Sequence, residues 1–416
     1  MKYSSIIPLI GGESIAVMNK LNGQMPEEVL SYTGFADNDS HYINYLRGKG
    51  WKGEYTFLDE KTNHKPKKVD IVNTVCPCAG LSSLSQHKVR NEGHNDWMYE
   101  SAHYVLGQIQ PKVFWGENAP RLAMEPGKEV VAKLRDIGKE YGYTFSVYKT
   151  KSLIQGYSQI RDRTFYFFWK GDQTPLLDYI HRPHEQIEDT ILNVVNKKGD
   201  PMSVVPNQKK PSDDPVYKYF LNKTGMTHAE FVAALPGPNM NLFDYMDYIG
   251  GETKCVGPST GKTYSGWLEV LEHLKGNDDE HSARWAKSIE RMVAKQKAGG
   301  SVMRKSTTFP KGHIGAFVGH YPSMLTHPVE DRYLTYREML SIMYLPEDFE
   351  LLHPKKFQNH ICQNVPVKTA EDMMEQVIKF CNNRLDLIDT DYILQDNKRK
   401  CHEYAENSLQ LDQFMV

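Results

Sequence analysis

Residues Val69–Ser82 read VDIVNTVCPCAGLS, an apolar run that leads into two cysteines separated by a proline. A short apolar run bounded by turn residues predicts a buried strand, here Val69–Val75. Similar runs alternate with helical patterns through residues 1–170. The other predicted strands are Ser5–Ile10, Tyr32–Ala36, Lys112–Gly116, Thr144–Lys149 and Thr164–Trp169, and the predicted helices include Ser14–Leu21, Asp39–Arg47, Trp97–Ile109 and Lys128–Tyr141. This alternation predicts an α/β fold with a doubly wound, mostly parallel sheet.

The length of 416 residues exceeds one average domain. After Lys170 the sequence becomes more polar and less regular, and alternation returns at Arg332, with helical patterns at Tyr336–Met343 and Thr369–Asn382. We therefore expect one domain that is interrupted by a smaller inserted lobe. The predicted parts are a first segment at 1–174, the inserted lobe at 175–328, a return segment at 329–385 and a polar C-terminal tail at 386–416.

The amino-acid composition limits the cellular compartment and the binding partners that the protein can be expected to have. The six cysteines show no pattern of paired spacing, which predicts free thiols in a reducing compartment. No apolar run is typical of a signal peptide or a membrane span, so we expect a cytoplasmic protein without a membrane partner. The formal net charge of −2 gives no global sign of a polyanionic partner, so any nucleic-acid surface must be local.

Four short motifs follow one another along the chain and carry a family resemblance. They are Val75–Ser82 (VCPCAGLS), Phe114–Pro120 (FWGENAP), Gly156–Phe165 (GYSQIRDRTF) and Arg332–Glu338 (RYLTYRE). In this order and spacing they resemble the Pro-Cys, Glu-Asn-Val, Gln-x-Arg-x-Arg and Leu-Thr-x-Arg-Glu motifs of the DNA cytosine-5 methyltransferase family. The resemblance covers about residues 5–170 and 330–382, and it implies a Rossmann-like methyltransferase fold that uses S-adenosylmethionine.

The resemblance also implies a catalytic set. Carbon 5 of cytosine is a poor nucleophile, so the family first adds a thiolate to carbon 6, and the matching residue is Cys78. Glu117 matches the acid that hydrogen-bonds N3 and the amino group of the base and delivers a proton. Arg163 matches the residue that stabilises the base and the addition intermediate, with Arg161 and Gln159 in support.

The cofactor motif departs from the family pattern. Ile7–Glu13 reads IPLIGGE, which keeps two glycines but lacks the usual aromatic residue and the first glycine. Asp37 matches the acid for the ribose hydroxyls, Glu54 the acid for the adenine amino group, and Asn364 the Asn of a late Gly-Asn-x-Val segment, in which Gln363 replaces the Gly. The residues assigned to S-adenosylmethionine by this resemblance are Ile7, Gly11, Gly12, Asp37, Asn38, Glu54, Tyr55, Pro77 and Asn364.

Several motifs have simpler interpretations. Cys76 and Cys78 could form half of a metal site, but no nearby pair of His or Cys residues completes four ligands, so we predict no metal. Cys76 is then a packing residue that closes its strand. Taken alone, Glu117 would be a carboxylate at the start of a helix, and the two arginines would belong to a solvated strand edge. The acids that the resemblance assigns to the cofactor, taken alone, would be carboxylates in turns. Gly257–Thr263 looks like a phosphate loop but has three residues between its glycines where four are needed.

In the resembled family, the segment at about 175–325 recognises the target, and a duplex base must be flipped out to reach a thiolate. The best local feature for phosphate contacts is Arg284–Lys311, with eight Lys or Arg residues and the single acid Glu290. An exposed basic helix followed by a loop is the alternative. The polar segment Ser82–Arg90 matches the mobile loop that closes over the flipped base.

The predicted function is methylation of carbon 5 of cytosine in duplex DNA by a monomeric enzyme. A cognate restriction endonuclease is a partner that the sequence leaves open. A rival on the same scaffold is an RNA cytosine-5 methyltransferase acting on transfer RNA. A rival of another class is a DNA-binding protein that has lost catalysis, suggested by the altered glycine motif.

Overall fold

A computed structural model describes residues 1–31, 40–58, 64–76, 81, 95–253, 262–319 and 321–398. The chain divides into two compact units. The first comprises Met1–His184, Met343–His353 and the part from Gln363 onward, and the second comprises Glu185–Ile342 and Pro354–Cys362.

The described strands are short, and most of them belong to the first unit. They are β1 (Tyr3–Ile6), β2 (Glu28–Ser31), β3 (Glu54–Phe57), β4 (Ile71–Val75), β5 (Val113–Asn118), β6 (Tyr143–Lys149), β7 (Thr164–Lys170), β8 (Thr174–Pro175), β9 (Met240–Asn241), β10 (Thr308–Phe309), β11 (Leu387–Ile388) and β12 (Tyr392–Asp396). Eight of them form one sheet in the order β12-β6-β7-β5-β4-β1-β2-β3. Only β7 runs antiparallel to its neighbours in this sheet. The predicted α/β fold with a mostly parallel sheet is confirmed.

The described α-helices surround this sheet or build the second unit. They are α1 (Gly12–Lys20), α2 (His41–Gly48), α3 (Asp96–Tyr104), α4 (Lys128–Glu140), α5 (Ile187–Leu192), α6 (Pro215–Thr224), α7 (His228–Ala234), α8 (Leu242–Ile249), α9 (Ser265–Lys275), α10 (Glu280–Lys297), α11 (Tyr336–Ile342), α12 (Pro354–Ile361) and α13 (Val367–Cys381). A π-helical turn, Val105–Ile109, continues α3. None of the helices in the described ranges is both long and apolar enough to cross a membrane.

Side chains alternate between the two faces of the sheet along each strand, and both faces are covered. On one face Phe168 stacks on Phe114, in a core that includes Leu134 of α4. On the other face the neighbouring Trp169 contacts Phe380 of α13. The buried aromatic residues of β7 therefore fix helices on both sides of the strand.

Several element bounds differ from those predicted. β1 ends at Ile6 rather than at residue 10, because Ile7 has a left-handed φ of 50° and Pro8 has no N–H to donate. The predicted strand Tyr32–Ala36 lies outside the described residues, and β2 directly precedes it. β3 was not predicted.

The segment from residue 386 onward, which was expected to be a polar tail, contributes two strands. β12 pairs in parallel with β6, with Ile393 opposite Ser146, and forms one edge of the main sheet. β11 pairs with β8. Sequence periodicity missed both strands because they are short and their partners lie far away in the chain.

The second unit has its own core, formed mainly by α6 to α10 and rich in aromatic residues. Trp267 of α9 contacts Phe243 of α8, and Phe231 of α7 packs on Phe309 of β10. α11 belongs to this unit although we placed it in the return segment. Its Glu338 accepts a hydrogen bond from Asn196, which fixes it to the region after α5.

Candidate active site

The Glu117 motif and the arginine motif lie at one edge of the main sheet. β1, β4 and β5 are parallel neighbours, so their carboxyl ends lie at the same edge, where ligands bind in sheets of this kind. β7 is antiparallel and begins at this edge, with Thr164 opposite Asn118 and Phe165 opposite Glu117. The topology therefore brings the end of the Glu117 motif beside the start of the strand that follows the two arginines.

Glu117 and Arg163 form a buried ion pair at this edge. Arg163 Nε donates to Glu117 Oε1 at 2.7 Å, and Glu117 is 6% exposed. Burial raises the pKa of the Glu117 carboxyl, and the positive charges of Arg163 and then Arg161 oppose that rise. A carboxyl group with a raised pKa retains its proton to higher pH, so Glu117 is suited to act as a general acid.

Arg161 connects the arginine motif to the glycine motif. Its guanidinium donates to the backbone carbonyl of Asn364 at 2.7 Å, and the side-chain oxygen of Asn364 accepts from the Gly12 N–H at 3.0 Å. A Cβ atom on Gly12 would lie 2.6 Å from the Asn364 side chain and from the Val365 carbonyl. The structure thus brings Asn364 against the glycine pair, and glycine is required at position 12 for this close approach.

The neighbouring glycine has a conformational role. Gly11 precedes α1 with a left-handed φ of 88°, and a Cβ atom there would lie 2.4 Å from the ring of Tyr42. Ile7 is buried directly after β1. The retained glycines therefore allow a sharp, tightly packed entry into α1 although the family's first glycine is missing.

Gln159 is fully buried, and its amide contacts the Met343 sulfur at 3.6 Å. Cys76 is also buried, and its sulfur lies 3.6 Å from the Tyr166 hydroxyl. Burial raises the pKa of the Cys76 thiol, which favours an inert packing role. Among the residues that the structure describes, no group of His, Cys, Asp or Glu side chains could hold a metal ion.

Other predicted site residues lie outside the described residues. These are Asp37, Asn38, Pro77, Cys78 and the loop at 82–90.

Glu54 and Tyr55 are not brought to the carboxyl edge of the sheet. They begin β3, and Glu54 is exposed opposite Glu28 at the amino end of β2. Since β2 and β3 are parallel, Glu54 lies about 10 Å from the carboxyl end of its own strand at Phe57. The family resemblance assigned Glu54 to the adenine amino group, whereas in the structure Glu54 is the first residue of a strand. The acids that follow this strand in the sequence are Asp59 and Glu60, which lie outside the described residues.

The sequence analysis missed Glu13, the second residue of α1. This side chain is fully buried, and neither carboxylate oxygen has a hydrogen-bond partner among the described residues. Burial and the neighbouring Glu117 raise its pKa well above the usual range, whereas its own backbone N–H group, Arg163 and Arg161 lower it. An acid directly before the small and apolar residues of a helix start, GESIAV, was the available signal.

The chain was compared with protein families, with curated protein sequences and with solved structures. Residues 32–379 match the model of the family described as C-5 cytosine-specific DNA methylase. No curated protein sequence matches the chain.

The fold is similar to that of a protein from an E. coli prophage named a DNA modification methyltransferase, with 15% identity, a TM-score of 0.52 and coverage of 92% of this chain and 99% of that one. A second structure is DNMT2 of Spodoptera frugiperda, with 12% identity, a TM-score of 0.48 and coverage of 91% of this chain and 100% of that one. A third is the methyltransferase EhMeth of Entamoeba histolytica, with 11% identity, a TM-score of 0.49 and coverage of 92% of this chain and 98% of that one.

Proposed function

The chain belongs to the C-5 cytosine-specific DNA methylase family, and on this premise we propose that it methylates carbon 5 of a flipped-out cytosine in DNA. The observation that carries the proposal is the buried Glu117–Arg163 pair beside Arg161 at the carboxyl edge of the sheet. This edge combines an acid whose pKa is raised by burial with two fixed cations, the groups that cytosine activation requires.

The glycine pair and its surroundings fit the cofactor S-adenosylmethionine. The start of α1 offers backbone N–H groups to a carboxylate, and Asn364 holds this start in place through Gly12. The buried carboxyl of Glu13 adds a negative group in the same turn. When bound, this cofactor supplies the methyl group as an electrophilic carbon on a sulfonium.

We assign the nucleophile to Cys78, which follows β4 in the sequence. Its thiolate adds to carbon 6, and the π electrons of the C5–C6 bond move toward carbon 5. Glu117 Oε1 accepts from Arg163, so Oε2 is the oxygen that can donate a proton to N3 of the base. After methylation, the proton on carbon 5 is lost to solvent, the Cys78 sulfur departs, and N3 returns its proton to Glu117, which restores the aromatic ring.

A surface of the second unit favours a polyanionic substrate. Arg284, Lys287, Arg291 and Lys295 are exposed on α10 and lie within about 80° of one another around its axis. The buried residues Ile289, Val293 and Gln296 face the opposite side, against the core. We call these four exposed cations the α10 basic stripe.

Not every cation of the basic segment Arg284–Lys311 belongs to this surface. Arg304 is buried and paired with Asp244 and Asp247, and Lys311 donates to backbone carbonyls, including that of Ala233 at 2.6 Å. Arg284 is only weakly engaged, by Glu280 at 3.8 Å on the exposed surface. The α10 basic stripe therefore supplies regularly spaced charge for phosphate contacts.

The deciding experiment compares duplex DNA with transfer RNA as methyl acceptor for the purified protein. We expect labelled 5-methylcytosine in DNA. Methylation of RNA alone would support the RNA-modifying rival, and cofactor and DNA binding without methylation of either would support the rival that has lost catalysis.

A covalent test addresses the nucleophile. Duplex DNA with 5-fluorocytosine should form a stable adduct with the wild-type protein, because fluorine blocks the final proton loss. Cys78→Ser should form none and transfer no methyl group. Cys76→Ser is the matched control and should keep substantial activity, and equal loss in both folded variants would contradict the assignment of Cys78.

A further inference from the structure

Glu13 is a buried acid without an evident structural role. It is fully buried in the first turn of α1, directly after Gly12, and neither of its carboxylate oxygens has a hydrogen-bond partner among the described residues. A carboxyl group in this position must keep its proton or receive a cationic partner, because an unpaired buried charge is strongly unfavourable.

The groups that surround Glu13 come from several elements of the first unit. Glu117 of β5 raises its pKa, and Arg163 and Arg161 before β7 lower it. Glu13 in turn helps to raise the pKa of Tyr166 on β7. Burial dominates this balance, and the pKa of Glu13 is well above its usual range. Arg163 is already engaged with Glu117, and Arg161 with the Asn364 carbonyl. Glu13 is therefore a neutral acid next to a site that carries fixed charges.

We propose that Glu13 binds the α-ammonium group of the methionine part of S-adenosylmethionine. The proposal rests on the cofactor assigned under the proposed function. The N–H groups at the start of α1 suit the methionine carboxylate, and the ammonium is bonded to the adjacent carbon. An acid in that same turn is therefore well placed for the ammonium.

Pairing of Glu13 with the ammonium group should release a proton. The neutral Glu13 carboxyl loses its proton to solvent as the ammonium arrives, and the resulting carboxylate forms a charge-assisted hydrogen bond with the ammonium. Binding of one cofactor molecule therefore releases up to one proton. The site acquires a negative charge together with the positive charge of its ligand, so its net charge does not rise.

The test is isothermal titration calorimetry of the full chain with S-adenosylmethionine at pH 6.5, in two buffers with different ionisation enthalpies. At this pH the α-amino group is protonated. We expect the wild-type protein to release a proton on binding, and Glu13→Gln to release none and to bind about tenfold more weakly or worse. Glu125→Gln, which changes an exposed acid of the same unit, is the matched control and should behave as wild type.

Two further ligands identify the partner group. S-Adenosylhomocysteine keeps the ammonium but lacks the sulfonium, so Glu13→Gln should weaken its binding as much as that of S-adenosylmethionine. 5′-Methylthioadenosine lacks the amino-acid part, and its affinity should be equal for both proteins. A defect confined to S-adenosylmethionine would assign Glu13 to the sulfonium and overturn the ammonium assignment.

Proton release by the wild-type protein tests the idea even if the variant does not fold. Cofactor binding without proton release would overturn the inference and leave the proposed function intact. Absence of any binding by the folded wild-type protein, to all three ligands, would instead contradict the proposed cofactor and the inference that rests on it.

Discussion

Two buried charge clusters, one in each unit, contain arginines and carboxylates but differ in how completely these groups are paired. In the second unit, Arg304 binds Asp244 at 2.9 Å and also binds Asp247, which accepts from Trp267 Nε1 at 2.6 Å as well. Lys262 adds a further cation to Asp247. We call this the Arg304 cluster.

The cluster at the sheet edge, formed by Glu13, Glu117, Arg161 and Arg163, is paired only in part. Glu117 has one oxygen bound to Arg163, and Glu13 has no partner among the described residues. Burial raises the pKa values of both of these carboxyl groups. The comparison teaches that carboxylates whose oxygens all have partners stabilise a fold, as Asp244 and Asp247 do, while carboxyl groups that are paired in part leave a group for a ligand.

The largest expected effect tests the incomplete cluster. Glu117→Gln keeps the size and polarity of the side chain but removes the proton that N3 requires, so kcat should fall by about 10²–10⁴. Single-turnover methylation of duplex DNA measures this loss. Thermal unfolding should show a folded protein, since the amide can still accept from Arg163.

The pH dependence of the same rate has a defined sign. Burial raises the pKa of Glu117, and the protonated form is the active acid, so kcat should decrease as pH rises through this elevated pKa. Glu117→Gln should lack that decrease. A wild-type rate that increases over the same range would contradict the role of Glu117 as proton donor.

The second prediction concerns stability and tests the complete cluster. Arg304→Met would leave Asp244 without its cation in a buried position, and breaking a buried pair in this way costs about 3–5 kcal/mol. Urea denaturation followed by Trp267 and the other tryptophans measures the change in the free energy of unfolding. Arg284→Met, which removes an exposed cation, is the control and should change stability by less than about 1 kcal/mol. Equal changes in both variants would remove the distinction between paired and exposed arginines.

The sequence predicted the sheet-edge cluster better than the Arg304 cluster, for a physical reason. Glu117, Arg161 and Arg163 stand in local motifs next to strands, and the family resemblance of these motifs assigned their roles, although each residue taken alone has a simpler interpretation. Arg304 and Lys262 find their acids through the tertiary packing of helices, so Arg304 was read as part of an exposed basic segment. Burial depends on this packing, and for the same reason Glu13 could not be recognised as a buried acid.

The third prediction extends the comparison to charges that are neither buried nor paired with a core group. Replacing Lys287, Arg291 and Lys295 of the α10 basic stripe by Gln should reduce the slope of log affinity for DNA against log salt by about one unit per lost phosphate contact. Stability and cofactor affinity should not change.

The matched control for the stripe replaces Lys297 and Lys305, two exposed cations of the same segment that lie off the stripe. Lys297 lies over the Tyr264 ring, 5.8 Å from its centre. A salt slope that falls equally in the control would place the phosphate contacts on the whole basic segment, and an unchanged slope in both would make the stripe a solvated face.

The smallest expected effect concerns Glu54, an acid that belongs to neither cluster. Its place at the amino end of β3, at the opposite edge of the sheet from Glu117, separates it from the glycine pair. Glu54→Ala should therefore leave the affinity for S-adenosylmethionine within about twofold of wild type, whereas loss of a charged hydrogen bond would weaken it roughly tenfold or more.

Asn364→Ala is the variant to compare with Glu54→Ala, because it removes the acceptor of the Gly12 N–H and should weaken binding by disturbing the start of α1. Calorimetry on both variants measures the difference. A tenfold loss with Glu54→Ala and none with Asn364→Ala would restore the role that the sequence motif assigned to Glu54, and would require the adenine site to reach the opposite edge of the sheet.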